Sequence, residues 1–341
     1  MIRLEKDQLE GFIKELASGY TVFAPVMKDG KQMFGEITSA AEIDSSRLNT
    51  ERSPKEIFFP HSEVLFEYDE KGIKVAAADE RPIAVWGMRG CDSRSIRMLD
   101  KVFGDEGERP GNVKFDDPYW NRRYGESLIF SMACNAPLST CFCNWFESGP
   151  HDSSGADIFV TDTGKAYLLE PVSEKGEKFV EGFKGAKKAS SRDLKNAASL
   201  AEEASALMGE RTGLEGLDEK LKGLFHKPIW DAVSAKCINC GACSFTCSTC
   251  HCFDIQDESR RGKGKRLRIW DACMFPIFTK EASGHNPRAL SKERVRQRVM
   301  HKYSYFVDNH GEFLCTGCGR CVAVCPVNLD IREVIREVLA S

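Results

Sequence analysis

The sequence lacks long uninterrupted hydrophobic runs, and it lacks an excess of charge of either sign. No apolar run approaches the roughly 18–20 residues that a membrane-spanning helix needs. Lys and Arg number 48 against 51 Asp and Glu, for a net charge of −3. This balance argues against a bulk nucleic-acid binder and against a polybasic membrane coat. The first residues are amphipathic and acidic, unlike a secretory signal peptide, so we expect a cytoplasmic protein without membrane contact.

Nucleotide-binding and hydrolytic motifs are also missing. No G-x-G-x-x-G follows a predicted strand and no P-loop occurs, so the sequence contains no recognisable phosphate cradle. The histidines and acidic residues form no motif for hydrolytic or nucleophilic catalysis. The basic stretch from Arg260 to Arg268 is interpreted as a solvated loop or a docking edge for an acidic partner, not as a nucleic-acid site. The sequence therefore assigns no catalytic residue and leaves open whether the chain is an enzyme by itself.

Cysteine, in contrast, is abundant. The chain has 15 cysteines, an odd number, and 11 of them lie between Cys237 and Cys325. In a reducing cytosol this density is typical of metal ligation rather than of a disulfide framework. A secreted disulfide scaffold would be shorter and would carry a signal peptide.

Two stretches share the spacing C-x2-C-x2-C-x3-C, which is the ligation run of bacterial two-cluster ferredoxins. The first comprises Cys237, Cys240, Cys243 and Cys247. The second comprises Cys315, Cys318, Cys321 and Cys325, followed by Pro326. Ser248 stands where the pattern has proline, which removes no ligand. A zinc ribbon uses paired C-x2-C without a third and fourth cysteine in this register, so the repeat predicts two [4Fe–4S] clusters.

In this spacing three thiolates on a tight loop bind one cluster, and the fourth cysteine reaches the neighbouring cluster. Glycines at positions 241, 317 and 319 favour such loops. We expect the fourth cysteine to start a helix that points toward the other cluster. The first predicted ligand set, called the first thiol group below, is Cys237, Cys240, Cys243 and Cys325. The second thiol group is Cys315, Cys318, Cys321 and Cys247.

Sixty-seven residues separate Cys247 from Cys315, many more than in a compact ferredoxin. Residues 291–302 of this insert have a helical pattern, so we expect an α-helical ferredoxin-like domain rather than a small βαββαβ module. Three more cysteines, called the insert cysteines, lie here: Cys250, Cys252 and Cys273. They either add metal ligands or pack as small buried side chains beside the clusters. We interpret His251, between two of them, as packed rather than ligating.

The first part of the chain has the pattern of an α/β domain, which we place at residues 1–171. Buried strands are predicted at residues 20–24, ended by Pro25, and at residues 83–86 and 128–132. A hairpin is predicted around Thr163-Gly164-Lys165. Residues 172–227 are rich in Lys, Glu, Ala and Ser at helical spacing and predict a charged helical connector. Residues 228–341 hold the two motifs.

Four cysteines of the α/β domain form a candidate third site. They are Cys91, Cys134, Cys141 and Cys143, called the third thiol group below. The first two each follow a predicted strand, and ligands in open α/β sheets lie beyond the carboxyl ends of the strands. The other two follow within a short loop. We therefore hypothesise a third iron–sulfur site, with four reduced core cysteines or a zinc site as the alternatives.

These motifs together resemble a known family of iron–sulfur electron-transfer proteins, which groups the sulfhydrogenase (NiFe hydrogenase) beta subunits with the A-type subunits of anaerobic sulfite reductase. The segments that carry the resemblance span nearly the whole chain: residues 89–94 (RGCDSR), 141–143 (CFC), 237–254, 270–276 (WDACMFP), 284–288 (GHNPR) and 315–326. The resemblance implies a relay with two [4Fe–4S] clusters in a cytosolic complex. Its partners would be an FAD/NAD(P)-binding subunit and a catalytic subunit, either a hydrogenase, a sulfite reductase or a heterodisulfide-reductase-like module.

We therefore predict an electron-transfer subunit of a hetero-oligomeric, anaerobic oxidoreductase complex. Two alternatives stay open. One is an oxidoreductase with its own substrate or flavin site near Cys91 and Cys134. The other is an iron–sulfur sensor protein.

Overall fold

The computed structural model describes residues 1–75, 81–104, 108–109, 113–114, 116–183, 185 and 187–341. The strands are β1 (Ile2–Glu5), β2 (Thr21–Lys28), β3 (Lys31–Ile37), β4 (Ser62–Asp69), β5 (Gly72–Val75), β6 (Ile83–Arg89), β7 (Glu108–Arg109), β8 (Val113–Lys114), β9 (Leu128–Met132), β10 (Ile158–Asp162), β11 (Ala166–Pro171), β12 (Lys187–Lys188), β13 (Phe253–Arg260) and β14 (Lys263–Trp270). The helices are α1 (Leu9–Gly19), α2 (Lys55–Phe58), α3 (Gly90–Phe103), α4 (Pro118–Tyr124), α5 (Glu174–Gly182), α6 (Ser191–Ala206), α7 (Leu217–Gly223), α8 (Ile229–Ser234), α9 (Ala242–Phe245), α10 (Ser291–Met300), α11 (Phe306–His310), α12 (Arg320–Val324) and α13 (Ile331–Ala340).

A large mixed sheet organises the first part of the chain. Among the described residues its order is β12-β1-β11-β10-β9-β6-β2-β3. The four strands β2, β6, β9 and β10 are parallel neighbours, and the remaining pairs are antiparallel. One face packs against α1 and α5, and the other against α2, α3 and α4. The predicted α/β character of this region is confirmed, and the predicted hairpin joins β10 to β11.

Strand β6 shows how the alternation of side chains builds both faces of the sheet. Trp86 packs in the core beneath α1, whereas Val85 packs in the core beneath α3. The pairing of β6 with β9 then shifts at Gly87, whose φ is +83°. A Cβ at Gly87 would lie 3.2 Å from Cδ of Pro25, so the glycine makes room for the proline ring of the adjacent strand.

The predicted end of a strand at Pro25 is wrong, because β2 continues to Lys28. The parallel pairing of β2 with β6 stops at Phe23, before the proline. Beyond that point β2 pairs with β3 alone, and Pro25 lies opposite Phe34. Proline lacks a backbone N–H, and here the strand does not need one toward β6.

A second sheet joins the two parts of the chain. Its order within the described residues is β13-β14-β4-β5, with antiparallel pairing throughout. The basic stretch is therefore mostly part of a hairpin, and the interpretation as a solvated loop is wrong for Arg268. That side chain is 5% exposed and forms ion pairs with Glu63 and Asp117.

The C-terminal part consists of short helices around its own core, with the β13–β14 hairpin extending from it. Buried side chains of this core include Trp230, Val299, Tyr303 and Ile335, and Phe146 of the first part joins them. Helix α10 confirms the helical pattern of the insert, and a π-helical segment, His301–Tyr305, follows it directly. None of the described helices is long and apolar enough to cross a membrane. The domain boundaries at residues 171 and 227 stay predictions.

Candidate metal centre

One cavity of the C-terminal part is lined by cysteines from both motifs. The cysteines in its wall are Cys237, Cys240, Cys243, Cys321 and Cys325. Much of the remaining wall is apolar, with contributions from Met274, Val295, Val299, Leu329 and Ile331. Cys240 is solvent-exposed, whereas the other members of the first thiol group are half-buried. The structure thus brings the last cysteine of the second motif to the three leading cysteines of the first.

Both motifs fold into the same turn. The second residue after the leading cysteine has a left-handed backbone in each motif, with φ of +57° at Asn239 and +64° at Gly317. The fourth residue does as well, with φ of +74° at Gly241 and +76° at Gly319. Such values favour glycine and tolerate asparagine. The repeated spacing therefore corresponds to a repeated backbone geometry.

A short helix begins directly after the second left-handed residue of each turn. Helices α9 and α12 follow Gly241 and Gly319, so the third cysteine of each motif lies in a helix. Cys247 and Cys325 come after these helices have ended. The prediction that the fourth cysteine starts a helix is therefore wrong: the left-handed residue starts the helix, and the fourth cysteine follows its last turn.

The second thiol group also gathers in the structure. Cys321 is flanked by Cys247, Cys318 and Cys315, whose charges add to the effect of burial in raising the pKa of Cys321. The hydroxyl of Tyr303 is buried, and the polar group that it faces is the thiol of Cys315. A buried hydroxyl that faces a ligand sulfur can donate to the thiolate or to an inorganic sulfide, so the site fits a cluster.

Lys302 brings a buried positive charge to the second thiol group. The residue is only 2% exposed, and its Nζ lies 3.3 Å from Sγ of Cys247. The same ammonium donates to Oγ1 of Thr249 at 2.8 Å and to the carbonyl of Leu314 at 2.9 Å. Burial lowers the pKa of Lys302, but the facing thiols, Cys247 first among them, outweigh burial and raise it overall.

Two further buried cations lie close by: Lys55 beside Cys250, and Arg298 between the two thiol groups, where it also lines the cavity of the first. Arg298 lies with Nη1 at 3.8 Å from Sγ of Cys250 and donates from Nη2 to the carbonyl of Cys243 at 3.2 Å. Lys55 donates to the carbonyl of Cys250 at 2.6 Å, and its Nζ lies 4.1 Å from the ring centre of Trp270. Positive charges near thiols favour the thiolate form, which is the form that binds metal.

The insert cysteines lie against the second thiol group. The thiol of Cys250 adjoins Cys247, and this contact is the main cause that lowers the pKa of Cys247. Cys273 adjoins Cys252 in the same way and lowers the pKa of Cys252 to about 6. This placement is compatible with ligation and with packing, so both interpretations of the insert cysteines stay predictions.

His251 is positioned by a backbone contact. Its Nδ1 lies 3.1 Å from the carbonyl oxygen of Thr249. Burial lowers the pKa of His251 to about 3, so the ring is neutral at physiological pH. The interpretation of this residue as packed stays a prediction.

The third thiol group converges at one edge of the large sheet. Cys91 lies in the first turn of α3, directly after β6, and Cys134 follows the parallel neighbour β9. Cys143 opens a 3-10 turn and lies near Cys91, Cys134 and Cys141. Burial raises the pKa of Cys141 to about 11 and that of Cys143 to about 12. The carboxyl ends of adjacent parallel strands share an edge, which explains this convergence.

The third thiol group also touches the second motif. The backbone N–H of Phe142 donates to the carbonyl of Gly317 at 2.9 Å, and Sγ of Cys141 lies 4.0 Å from the carbonyl oxygen of Cys318. Among the described residues, no group of three or more His, Cys, Asp or Glu side chains is arranged to hold a single metal ion. In a [4Fe–4S] cluster each thiolate binds a different iron, so the thiolates lie further apart than around one ion.

The buried cations are residues that the sequence motifs do not reveal. Arg294, Arg298 and Lys302 are spaced four residues apart and are 5%, 7% and 2% exposed. The signal in the sequence that could have revealed them is the presence of three cations on one helical face between two cysteine motifs. A charged stripe on a helix is ordinarily a solvated face, and only the packing of α10 against the cysteine loops reverses that interpretation.

The fold and the gathered thiols define a class of protein with iron–sulfur clusters. A family model described as a 4Fe-4S dicluster domain matches residues 236–329 of the chain. Over nearly its whole length the chain is also similar to a curated protein, sulfhydrogenase 2 subunit beta of Pyrococcus furiosus. The two are 28% identical over 339 residues, which cover 99% of this chain and 98% of that protein. No solved structure matches the chain. The resemblance to the sulfhydrogenase beta subunits, predicted from the motifs, is confirmed.

Proposed function

We propose that the chain is the iron–sulfur electron-transfer subunit of a cytoplasmic oxidoreductase complex that works under anaerobic conditions. In this complex it relays electrons between an FAD/NAD(P)-binding subunit and a catalytic subunit. The observation that carries the proposal is the cavity that Cys325 of the second motif shares with Cys237, Cys240 and Cys243 of the first. That exchange of the fourth cysteine is typical of two-cluster electron carriers.

The two predicted [4Fe–4S] clusters are assigned to the first and the second thiol groups, in an α-helical ferredoxin-like arrangement of residues 228–341. When bound, such a cluster accepts and releases one electron at a time. The chain would hold the first cluster against apolar side chains such as Met274 and Val299, which exclude water. It would hold the second beside Lys302 and the buried hydroxyl of Tyr303.

A third cluster is proposed at the third thiol group. The four thiols lie near one another, and the contact of Cys141 with Cys318 brings them beside the second thiol group. Three neighbouring sites would form one path across the chain, from the edge of the large sheet to the exposed Cys240. The raised pKa values of Cys141 and Cys143 mean that metal binding there must release protons.

The identity of the partners is the finer part of the proposal. The name of the Pyrococcus protein makes it a component of a sulfhydrogenase, which favours a hydrogenase as the catalytic partner of this chain and a hetero-oligomer as its native state. A sulfite reductase or a heterodisulfide-reductase-like module would occupy the same position in the relay. No catalytic residue is assigned to the chain itself.

The test is anaerobic purification of the chain, followed by analysis of iron and acid-labile sulfide. About eight irons per chain would support two clusters, and about twelve would support three. EPR spectra after addition of dithionite should show reduced clusters. A well-folded, colourless protein without labile sulfide would refute the proposal.

The partners are tested by purifying the native complex and recording its spectra. Nickel would identify a hydrogenase partner, siroheme a sulfite reductase, and flavin in a separate subunit would identify the electron donor or acceptor. Flavin retained by this chain alone, or turnover without partners, would instead favour an oxidoreductase with its own site. Tight duplex DNA binding that weakens steeply with salt would favour a sensor.

A further inference from the structure

We propose that Lys302 holds the reduction potential of the second cluster above that of the first, so that an electron shared by the two sites resides at the second thiol group. This inference rests on the proposed function, because it needs both clusters to be present. It adds to the proposed relay a ranking of the two clusters by their reduction potentials.

Within the described part of the chain, no carboxylate forms an ion pair with Lys302. An ammonium has three N–H donors, and those of Lys302 face Sγ of Cys247, Oγ1 of Thr249 and the carbonyl of Leu314. None of these three partners is a carboxylate. A buried charge is costly unless an opposite charge lies close to it. The negative charge available is that of the Cys247 thiolate, whose sulfur lies 3.3 Å away, together with that of the cluster this thiolate would bind.

The first thiol group lacks an equivalent contact among the described residues. Sγ of Cys237 accepts from the backbone N–H of Asn239 at 3.4 Å, and Sγ of Cys325 accepts from the backbone N–H of Leu329 at 3.2 Å. Both donors are neutral. Arg298 faces cysteines of both groups, Cys243 and Cys321 among them, so its charge acts on the two sites together. Of the cations that the structure describes, Lys302 is the one in direct contact with a predicted ligand sulfur, that of Cys247.

Reduction adds one negative charge to a cluster. A cation held close to a ligand sulfur stabilises the reduced form more than the oxidised form, and in a buried site water screens this attraction weakly. Hydrogen bonds to cluster sulfurs act in the same direction. The potential of the second cluster should therefore be the more positive one.

The backbone around Lys302 is unusual as well. The π-helical segment His301–Tyr305 interrupts the run from α10 to α11, and Lys302 is its second residue. Short π-helical segments inside helices occur frequently at functional sites. From this segment the ammonium of Lys302 reaches Sγ of Cys247.

A purely structural role for Lys302 is the competing explanation, because its contacts also join Thr249 to Leu314. The two roles differ in what they change. Loss of purely structural contacts lowers the stability of the protein or its cluster content. It does not change the reduction potential of a cluster that is assembled. The variants therefore need a readout of potential for each cluster separately.

The experiment is an EPR-monitored redox titration of the full chain in its wild-type, K302M and K302Q forms. K302M removes the charge and the donors at similar length, and K302Q keeps a donor without the charge. K292M is the control, because Lys292 lies on α10 in a solvent-exposed ion pair with Asp231. The signal of the second cluster is identified as the one that is missing from a C247S variant.

We expect K302M and K302Q to keep the iron content of the wild type and to shift the second cluster to a more negative potential. The equilibrium ratio of electrons on the second cluster to electrons on the first should fall by at least tenfold, which corresponds to a shift of about 59 mV for a one-electron couple. The first cluster, and both clusters of K292M, should be unchanged. If K302M does not assemble the second cluster, the shift measured in K302Q decides the question.

Unchanged potentials in K302M and K302Q would overturn the inference. Loss of the second cluster in both variants would also overturn it, because Lys302 would then be a structural residue. Failure of the proposed function would look different. In that case the wild-type chain itself would contain no iron or labile sulfide, and no variant would be needed to see it.

Discussion

Asp92 and Arg320 form a buried ion pair that joins the two parts of the chain. Nη1 and Nη2 of Arg320 donate to the two carboxylate oxygens of Asp92 at 2.5 and 2.8 Å. Asp92 is 1% exposed and Arg320 is 5% exposed. Asp92 directly follows Cys91, and Arg320 directly precedes Cys321. One ion pair thus links the third thiol group to the second motif.

The substitution D92N should destabilise the protein strongly. It would leave the guanidinium of Arg320 buried without its opposite charge, which costs about 3–5 kcal/mol of unfolding free energy. Urea unfolding under anaerobic conditions measures this change. The control D231N breaks the solvent-exposed pair with Lys292 and should cost less than about 1 kcal/mol. Equal effects of the two substitutions would contradict the structural role given to the buried pair.

The substitutions C247S and C325S test the exchange of the fourth cysteine between the motifs. Each should remove about four irons per chain, because each takes one ligand from one cluster. C247S should abolish the EPR signal that persists in a C237S variant, although both residues belong to the first motif. If C247S and C237S remove the same signal, each motif binds its cluster alone and the assignment is wrong.

The substitution C141S tests the third thiol group. We expect the iron content to fall from about twelve to about eight per chain, because the change removes a ligand of the third cluster and leaves the two motifs intact. The matched control is S139A, two residues earlier on the same loop, where the side chain is exposed. An iron content of about eight in both variants and in the wild type would leave the third group as four core cysteines.

The substitution G319A tests the contact between the second motif and the loop that carries Cys141. A Cβ at Gly319 would overlap the carbonyl oxygen of Thr140, so the loops must separate. The left-handed backbone costs about 1–2 kcal/mol for alanine, and overpacking adds about 1–3 kcal/mol.

Gly311 provides the control for this prediction. Its φ is +71°, and a Cβ there would meet nothing within 4 Å. G311A should therefore show the backbone cost alone in urea unfolding. G319A should in addition reduce the iron content, since it moves the second motif. Equal unfolding energies and equal iron contents of the two variants would show that the loop contact has no such role.

Much of the fold can be predicted because it depends on local patterns. The strands at residues 83–86 and 128–132, the hairpin at residues 163–165 and the helix at residues 291–302 are all recognisable from short windows of sequence. The continuation of β2 through Pro25 cannot be recognised in this way, because it depends on where the neighbouring strand β6 stops pairing. The burial of Arg268 cannot be recognised from a short window either, because its partners Glu63 and Asp117 are distant in sequence.

The sequence by itself determined the turns of the two cysteine motifs, since the spacing and the residues at the left-handed positions are properties of a dozen adjacent residues. Only the tertiary structure decided which thiols share a site, and that Lys302, Arg298 and Lys55 bring their charges to the thiols. Cys325 and Cys237 line one cavity although they are far apart in sequence. The physical reason is that spacing constrains the backbone locally, whereas burial of a charge depends on everything that packs around it.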